Sequence, residues 1–194
     1  MLVNTHILLA QHIYENLELD EKRIINYNSF VYGNIKPDMV STYKLKKHYM
    51  DESLEMVLKK IKNLSTLTEN DINKWISISK FSQEIGVICH FLCDFFCIPH
   101  SERWEFKHSM NKHVKYEKDL AVAAKSVVLP KKRTDIFGKY DVKYFILKAH
   151  EIYEKESSYE NDIIFASYVC NSIVDYIIQC IEFNSTISQS LISI

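Results

Sequence analysis

The chain has 194 residues, 47% of them hydrophobic, and its 24 lysines and arginines against 25 aspartates and glutamates give a formal charge of -1. That length supports one full core and a single domain over residues 1–194, and near-neutrality excludes bulk attraction to nucleic acid or an anionic membrane. Three glycines and three prolines are too few for a strand-and-turn architecture, so the expected fold class is all-α.

Residues 4–19 carry apolar side chains at helical spacing, with Asn4 or Thr5 as the cap. The stretch SFVYGNIKPDM, residues 29–39, reads as neither helix nor plain linker. Gly33 and Pro37 fix a bend there, and Asp38 stands at the start of the next helix, where an aspartate is ordinarily an N-terminal cap facing the helix dipole. A second helix is expected over residues 41–64, with His48 on its inner side, ended by the polar NLSTLTEN. Thr68 then caps a long helix through Trp75, Ile85 and His90 that stops before Pro99, and Pro99 turns His100 back towards His90 and Asp94. A fourth helix, residues 102–128, carries His113 and Glu117, and LPKKRTD reads as a basic surface turn. Helices over residues 141–155 and 159–183 complete a multi-helix bundle.

No secretory signal is visible: the first basic residue is Lys22, and the apolar run at residues 7–10 is too short. The longest apolar segment, residues 162–183, is interrupted by Ser167, Asn171, Ser172, Asp175 and Gln179, which argues against a transmembrane segment. Cys89, Cys93 and Cys97 recur every four residues on one helical stripe, so they cannot pair with one another. The stripe is a candidate thiolate metal site, but beside Phe91, Phe95 and Phe96 it reads as packing, and reduced buried thiols point to a cytoplasmic protein.

The chemistry concentrates in CHFLCDFFCIPHSERWEFKHSMNKHVKYE. His90 and Asp94 are four apart, His100 follows six later, and His113 and Glu117 are again four apart. Side chains four apart share a helix face, and imidazole mixed with carboxylate suits Zn²⁺. His12, six after His6, points elsewhere and reads as a surface histidine; His150 reads as structural or exposed. His108 lacks a carboxylate four residues on and stands aside unless it substitutes for His113. A di-iron bundle would need paired Glu-x-x-His motifs, and the chain has none.

The order Thr5-His6, Gly33-Asn34-Ile35-Lys36-Pro37-Asp38, His48-Tyr49, His90-x3-Asp94-x5-His100 and His113-x3-Glu117 resembles the zinc-dependent phospholipase C family. The zinc-dependent single-strand nucleases share that ligand order and helical fold. The resemblance implies up to three zinc ions at the bottom of a cleft. His48, His90, Asp38 and Asp94 would hold one. Asp94 would bridge to a second, ligated by His6, and His100, His113 and Glu117 would hold the third. Asp38 and Asp94 are the candidate catalytic carboxylates, Asp38 occupying the position of a general base. Secreted members complete the second zinc with an N-terminal tryptophan. Here Met1 stands five residues before His6 and the bulky Leu2 should leave it uncleaved, so its amine is the expected substitute.

Such a site is strongly cationic, because three divalent ions outweigh the three carboxylates, and its natural guest is a phosphate ester. Water shared between two zincs falls from its bulk pKa to roughly 7, which supplies hydroxide for attack on phosphorus. The expected activity is zinc-dependent phosphodiester hydrolysis, with two to three zincs per chain and a phospholipid or related phosphoester as substrate. The chain is shorter than the secreted phospholipases, which makes a nucleotide or single-stranded nucleic acid the rival substrate. A non-catalytic zinc-binding helical protein is the reading from outside the enzymes.

Overall fold

The computed structural model describes residues 1–40, 48–104, 110–129, 131 and 133–192, and among these there are helices and connecting turns but no strand. Helix α1 (Val3–Glu15) buries His6, Leu9, Ala10 and Ile13, one face at three- and four-residue spacing. It starts ahead of the expected cap: Leu2 holds the N-cap position, and its carbonyl accepts from the Thr5 and His6 amides, at 2.9 and 3.2 Å.

Helix α2 (Tyr27–Met39) corrects the sequence reading. Residues 29–39 are helical throughout, so Asp38 lies in a last turn and not at a start. Asn26 caps the helix by accepting from the Ser29 amide at 3.0 Å. The inner face is Phe30, Gly33, Asn34 and Pro37, an i, i+3, i+4, i+7 stripe disguised by two residues of poor helix propensity. Pro37 removes one rung of the ladder, yet the Val40 amide still reaches the Lys36 carbonyl at 2.9 Å.

Packing explains why those two residues are tolerated. Helix α4 (Ile78–Phe95) crosses α2 with backbones nearly touching: a Cβ on Gly33 would lie 2.3 Å from the Gln83 carbonyl oxygen, and one on Gly86 would lie 2.3 Å from that of Phe30. No larger side chain fits at either place. Helix α4 is buried on all sides from Ile85 to Phe95 and forms the centre of the bundle.

Helix α3 (Met50–Ser65) is shorter than expected, with Asp51 and Glu52 in its first turn. Residues 41–47 lie outside the described residues, and His48 and Tyr49 precede the helix and do not sit on its face. Thr68 does cap, in a reciprocal capping box with Asp71, but the helix it starts is broken. A single turn (Glu69–Asp71) passes into a π-helical turn (Ile72–Ile76), and Ser77, at φ 73°, breaks the path before α4 begins.

Pro99 also has a different role from the one expected. Helix α4 ends at Phe95, and Pro99 sits inside the first turn of a short helix α5 (Ile98–Ser101), where a missing amide hydrogen is harmless. Helix α6 (Met110–Ala123) buries His113, Glu117 and Leu120; residues 105–109, His108 among them, lie outside the described residues.

Helix α7 (Val142–Tyr153) is capped by Asp141, and helix α8 (Tyr159–Ile192) outruns the expected end at residue 183. Ile181 is the last buried residue described along it, while the backbone continues helical and the apolar Phe183, Ile187 and Leu191 stand exposed. Residues 159–191 are long and apolar enough to cross a membrane by composition, but the most apolar part of the stretch is 72% buried, against α1, α3, α4 and α7. Its polar interruptions are inside and partnered: Asn171 donates to the Ser167 carbonyl at 2.9 Å, Ser172 accepts from the Thr134 amide at 2.8 Å, and Asp175 pairs with Arg133 at 3.2 Å. Arg133, expected in a plain solvated turn, thus ties that turn to α8 and to Glu21.

Candidate metal centre

Five helices and the residues ahead of α3 bring the eight singled-out side chains to one place. The α2–α4 contact positions His90 first: its Nδ1 donates to the Asn34 carbonyl at 2.7 Å, which fixes the ring and turns Nε2 inward. That nitrogen lies 3.3 Å from Asp94 Oδ2, 3.7 Å from Asp38 Oδ1 and 3.3 Å from His48 Nδ1. His48 Nδ1 is 2.7 Å from the same Asp94 oxygen and 3.9 Å from Asp38.

Asp94 is 0% exposed and faces two ways. Its Oδ2 meets His48 and His90, whereas Oδ1 meets the Met1 α-amino group, His6 Nε2 at 3.4 Å and His100 Nε2 at 3.7 Å. His6 is fully buried, stacks on His90 with centroids 4.1 Å apart, and has no hydrogen-bond partner at either ring nitrogen. On the other side of Asp94, Glu117 Oε1 lies 3.1 Å from each of His100 Nε2, His113 Nε2 and the Met1 nitrogen.

Among the described residues, three sets of donor atoms lie close enough to grip an ion, the atoms of each set within 4.8 Å of one another: His6, Asp38 and His90; His48, His90 and Asp94; and Cys97, His100 and Glu117. The residues fit zinc on their own chemistry. Imidazole nitrogens converge on shared carboxylate oxygens, an orphaned buried histidine points inward, and the donors are the nitrogen and oxygen types that zinc accepts.

The ionisation of the site records the same demand for positive charge. Burial opposes charge on Asp94 and Glu117, but the Met1 ammonium and surrounding imidazoles outweigh it and hold both carboxyls well below their ordinary range. Burial pulls His6 down, and the Asp94 carboxylate more than offsets it, leaving His6 at about 9. His90 and His100 are lowered, by burial first and then by cationic neighbours, His6 and the Met1 ammonium respectively. Asp38, in the half-exposed rim, is raised by burial and by Asp94.

Two participants escaped the sequence reading. Asn34 supplies the carbonyl that orients His90, a role with no side-chain signature. Cys97 was grouped with Cys89 and Cys93, but the helix ends before it, so it leaves their stripe; the one sequence cue is its place three residues ahead of His100. Two of the histidines set aside, His12 and His150, stay outside. His12 is half-buried rather than on the surface and lies 3.0 Å from Asn16, while His150 is buried with Nε2 3.1 Å from the Phe95 carbonyl.

Comparison with known proteins gives one finding: the family described as zinc dependent phospholipase C matches residues 5–181. No curated protein and no solved structure matched the chain.

Proposed function

The chain belongs to the zinc-dependent phospholipase C family, and we propose that it hydrolyses phosphodiesters at a centre of two to three zincs held by His6, Asp38, His48, His90, Asp94, His100, His113 and Glu117. The observation that carries this reading is Asp94, whose two oxygens face separate groups of donors as a bridging carboxylate does. When bound, zinc supplies hydroxide near neutral pH and neutralises charge on a phosphoryl group.

The chain's own residues do the rest. The Asn34 carbonyl holds His90 in the tautomer that presents Nε2. Asp38, at the rim and raised by burial, takes the proton from the attacking water as general base. The Met1 amine, already against Asp94, His100 and Glu117, contributes its nitrogen once deprotonated, in place of the tryptophan of secreted relatives.

Substrate enters beside His100. A cavity of about 420 Å³ opens there, lined by Tyr49, Arg103, Leu147 and His150 among others. Arg103 holds the left-handed φ of 54° next to the site, and its guanidinium lies 4.7 Å over the Tyr49 ring while pairing with Asp51 and Glu52. We assign it to receive the non-bridging oxygens of the phosphoester. Turnover of phosphatidylcholine vesicles, measured beside single-stranded DNA with zinc content determined on the same sample, tests the reading. Lipid cleavage with two or more zincs per chain supports it, and cleavage of DNA alone replaces the substrate class. A loaded protein inactive on both is the non-catalytic zinc protein.

A further inference from the structure

We propose that Cys97 is a thiolate ligand of the zinc held by His100, His113 and Glu117, so that this one of the metal positions is closed by four protein donors. The inference rests on the zinc reading above and adds a donor of a different element to it.

Three observations carry it. First, Cys97 Sγ, an imidazole nitrogen of His100 and a carboxylate oxygen of Glu117 lie within 4.8 Å of one another, and His113 Nε2 is 3.1 Å from that side chain's Oε1. Second, the place already holds a positive charge: the Met1 ammonium is 3.1 Å from both His100 Nε2 and Glu117 Oε1. Third, Cys97 differs from its neighbours in where it goes. Cys93 Sγ lies 3.7 Å from Cys170 Sγ on the α4–α8 seam and also neighbours His6, and Cys170 in turn lies 3.6 Å from the Cys89 carbonyl, whereas among the described donor sets it is Cys97 that joins His100 and Glu117. Helix α4 stops at Phe95, and Phe96, at φ -103° and ψ 44°, breaks the repeat. Cys97 is then extended, at φ -133° and ψ 119°, and caps α5. That break takes Cys97 off the packing stripe and brings it to His100 and Glu117.

Zinc accepts sulfur, nitrogen and oxygen together, and on binding the thiol would lose its proton to solvent. Four protein donors make a structural site, whereas a catalytic zinc keeps an open position. The assignment therefore divides the centre: the position nearest α5 and α6 braces the fold, and hydrolysis falls to the side built from His6, Asp38, His48, His90 and Asp94.

The full chain, stripped of metal and titrated with Co²⁺, provides the test, because thiolate ligation adds a sulfur-to-cobalt charge-transfer band in the near ultraviolet that nitrogen and oxygen ligands do not give. The band should appear, survive in Cys89→Ser and Cys93→Ser, and be lost completely in Cys97→Ser. Zinc-edge X-ray absorption of the same chain should show a sulfur scatterer at about 2.3 Å. If Cys97→Ser does not fold, survival of the band in each of the other four cysteine variants assigns it by elimination. A metal-loaded chain with nitrogen and oxygen ligands alone overturns the sulfur assignment and leaves the phosphodiester reading standing. A chain that binds no metal overturns both.

Discussion

Two regions of the molecule bury carboxylates to a similar depth and treat them oppositely. At the candidate metal centre, Asp94 and Glu117 are held well below the ordinary range. Close by, where α8 begins, Asp162 is equally inaccessible, yet burial pushes it up to about 7. Its partners are Tyr153 Oη at 2.8 Å, Tyr116 Oη at 3.1 Å and the Ile98 amide at 3.2 Å, all neutral donors. They lower its proton affinity without overcoming burial. The contrast teaches that depth does not decide a carboxylate's charge; the sign of what surrounds it does. A cage of hydroxyls and amides pins helices together, and a cage of imidazoles and an ammonium is a place for cations.

The sharpest way to break the comparison is to remove charge from each cage in turn. Asp94→Asn should cut phosphodiester turnover by at least ~10³-fold and lower the zinc content, since one substitution withdraws ligands from two donor groups. Asp162→Asn should leave zinc content unchanged; a loss of zinc there would erase the distinction between the cages.

The next largest effect is on pH dependence. Asp162 titrates near 3.8 when unfolded and at about 7 when folded, so between those values the folded chain keeps a proton that the unfolded chain has released. Its contribution to stability is complete below the lower value and is lost as pH rises through the upper one, amounting to a few kcal/mol in direction and order. Denaturant midpoints of the metal-free protein should thus fall as pH rises from about 4 to about 7 and level off above that, and Asp162→Asn should flatten that slope.

Gly33→Ala tests how the fold feeds the site. Its Cβ would collide with the Gln83 carbonyl oxygen, forcing α2 from α4, and should lower stability by about 1–3 kcal/mol. Because Asn34 and Asp38 ride on α2, zinc affinity should fall with it. Tyr153→Phe is the mildest, about 1 kcal/mol, and should raise the Asp162 titration further by removing a donor to its charged form. A downward move, read from the pH profile of unfolding, would show that the hydroxyl favours the neutral acid instead.

Much of the centre was legible in the chain because its ligands keep helical arithmetic. His90 with Asp94 and His113 with Glu117 are single turns of α4 and α6, and spacing alone puts each pair on one face. The all-α class followed just as directly from scarce glycine and proline. What escaped was anything decided between elements. The stretch GNIKPD carries two helix breakers and reads as a bend, but α4 accepts it as helix through a contact that only a glycine permits. Likewise Cys97 counted as a third member of a regular stripe until the chain stopped being helical at Phe96.

By itself, then, the amino-acid order determined which side chains are chemically equipped and which are paired within a single turn, since both depend on residue type and a fixed helical rise. The tertiary structure decided which of those pairs meet: the close crossing of α2 and α4, the exit of the chain at Phe96 and the approach of the Met1 nitrogen depend on distances that no local spacing encodes.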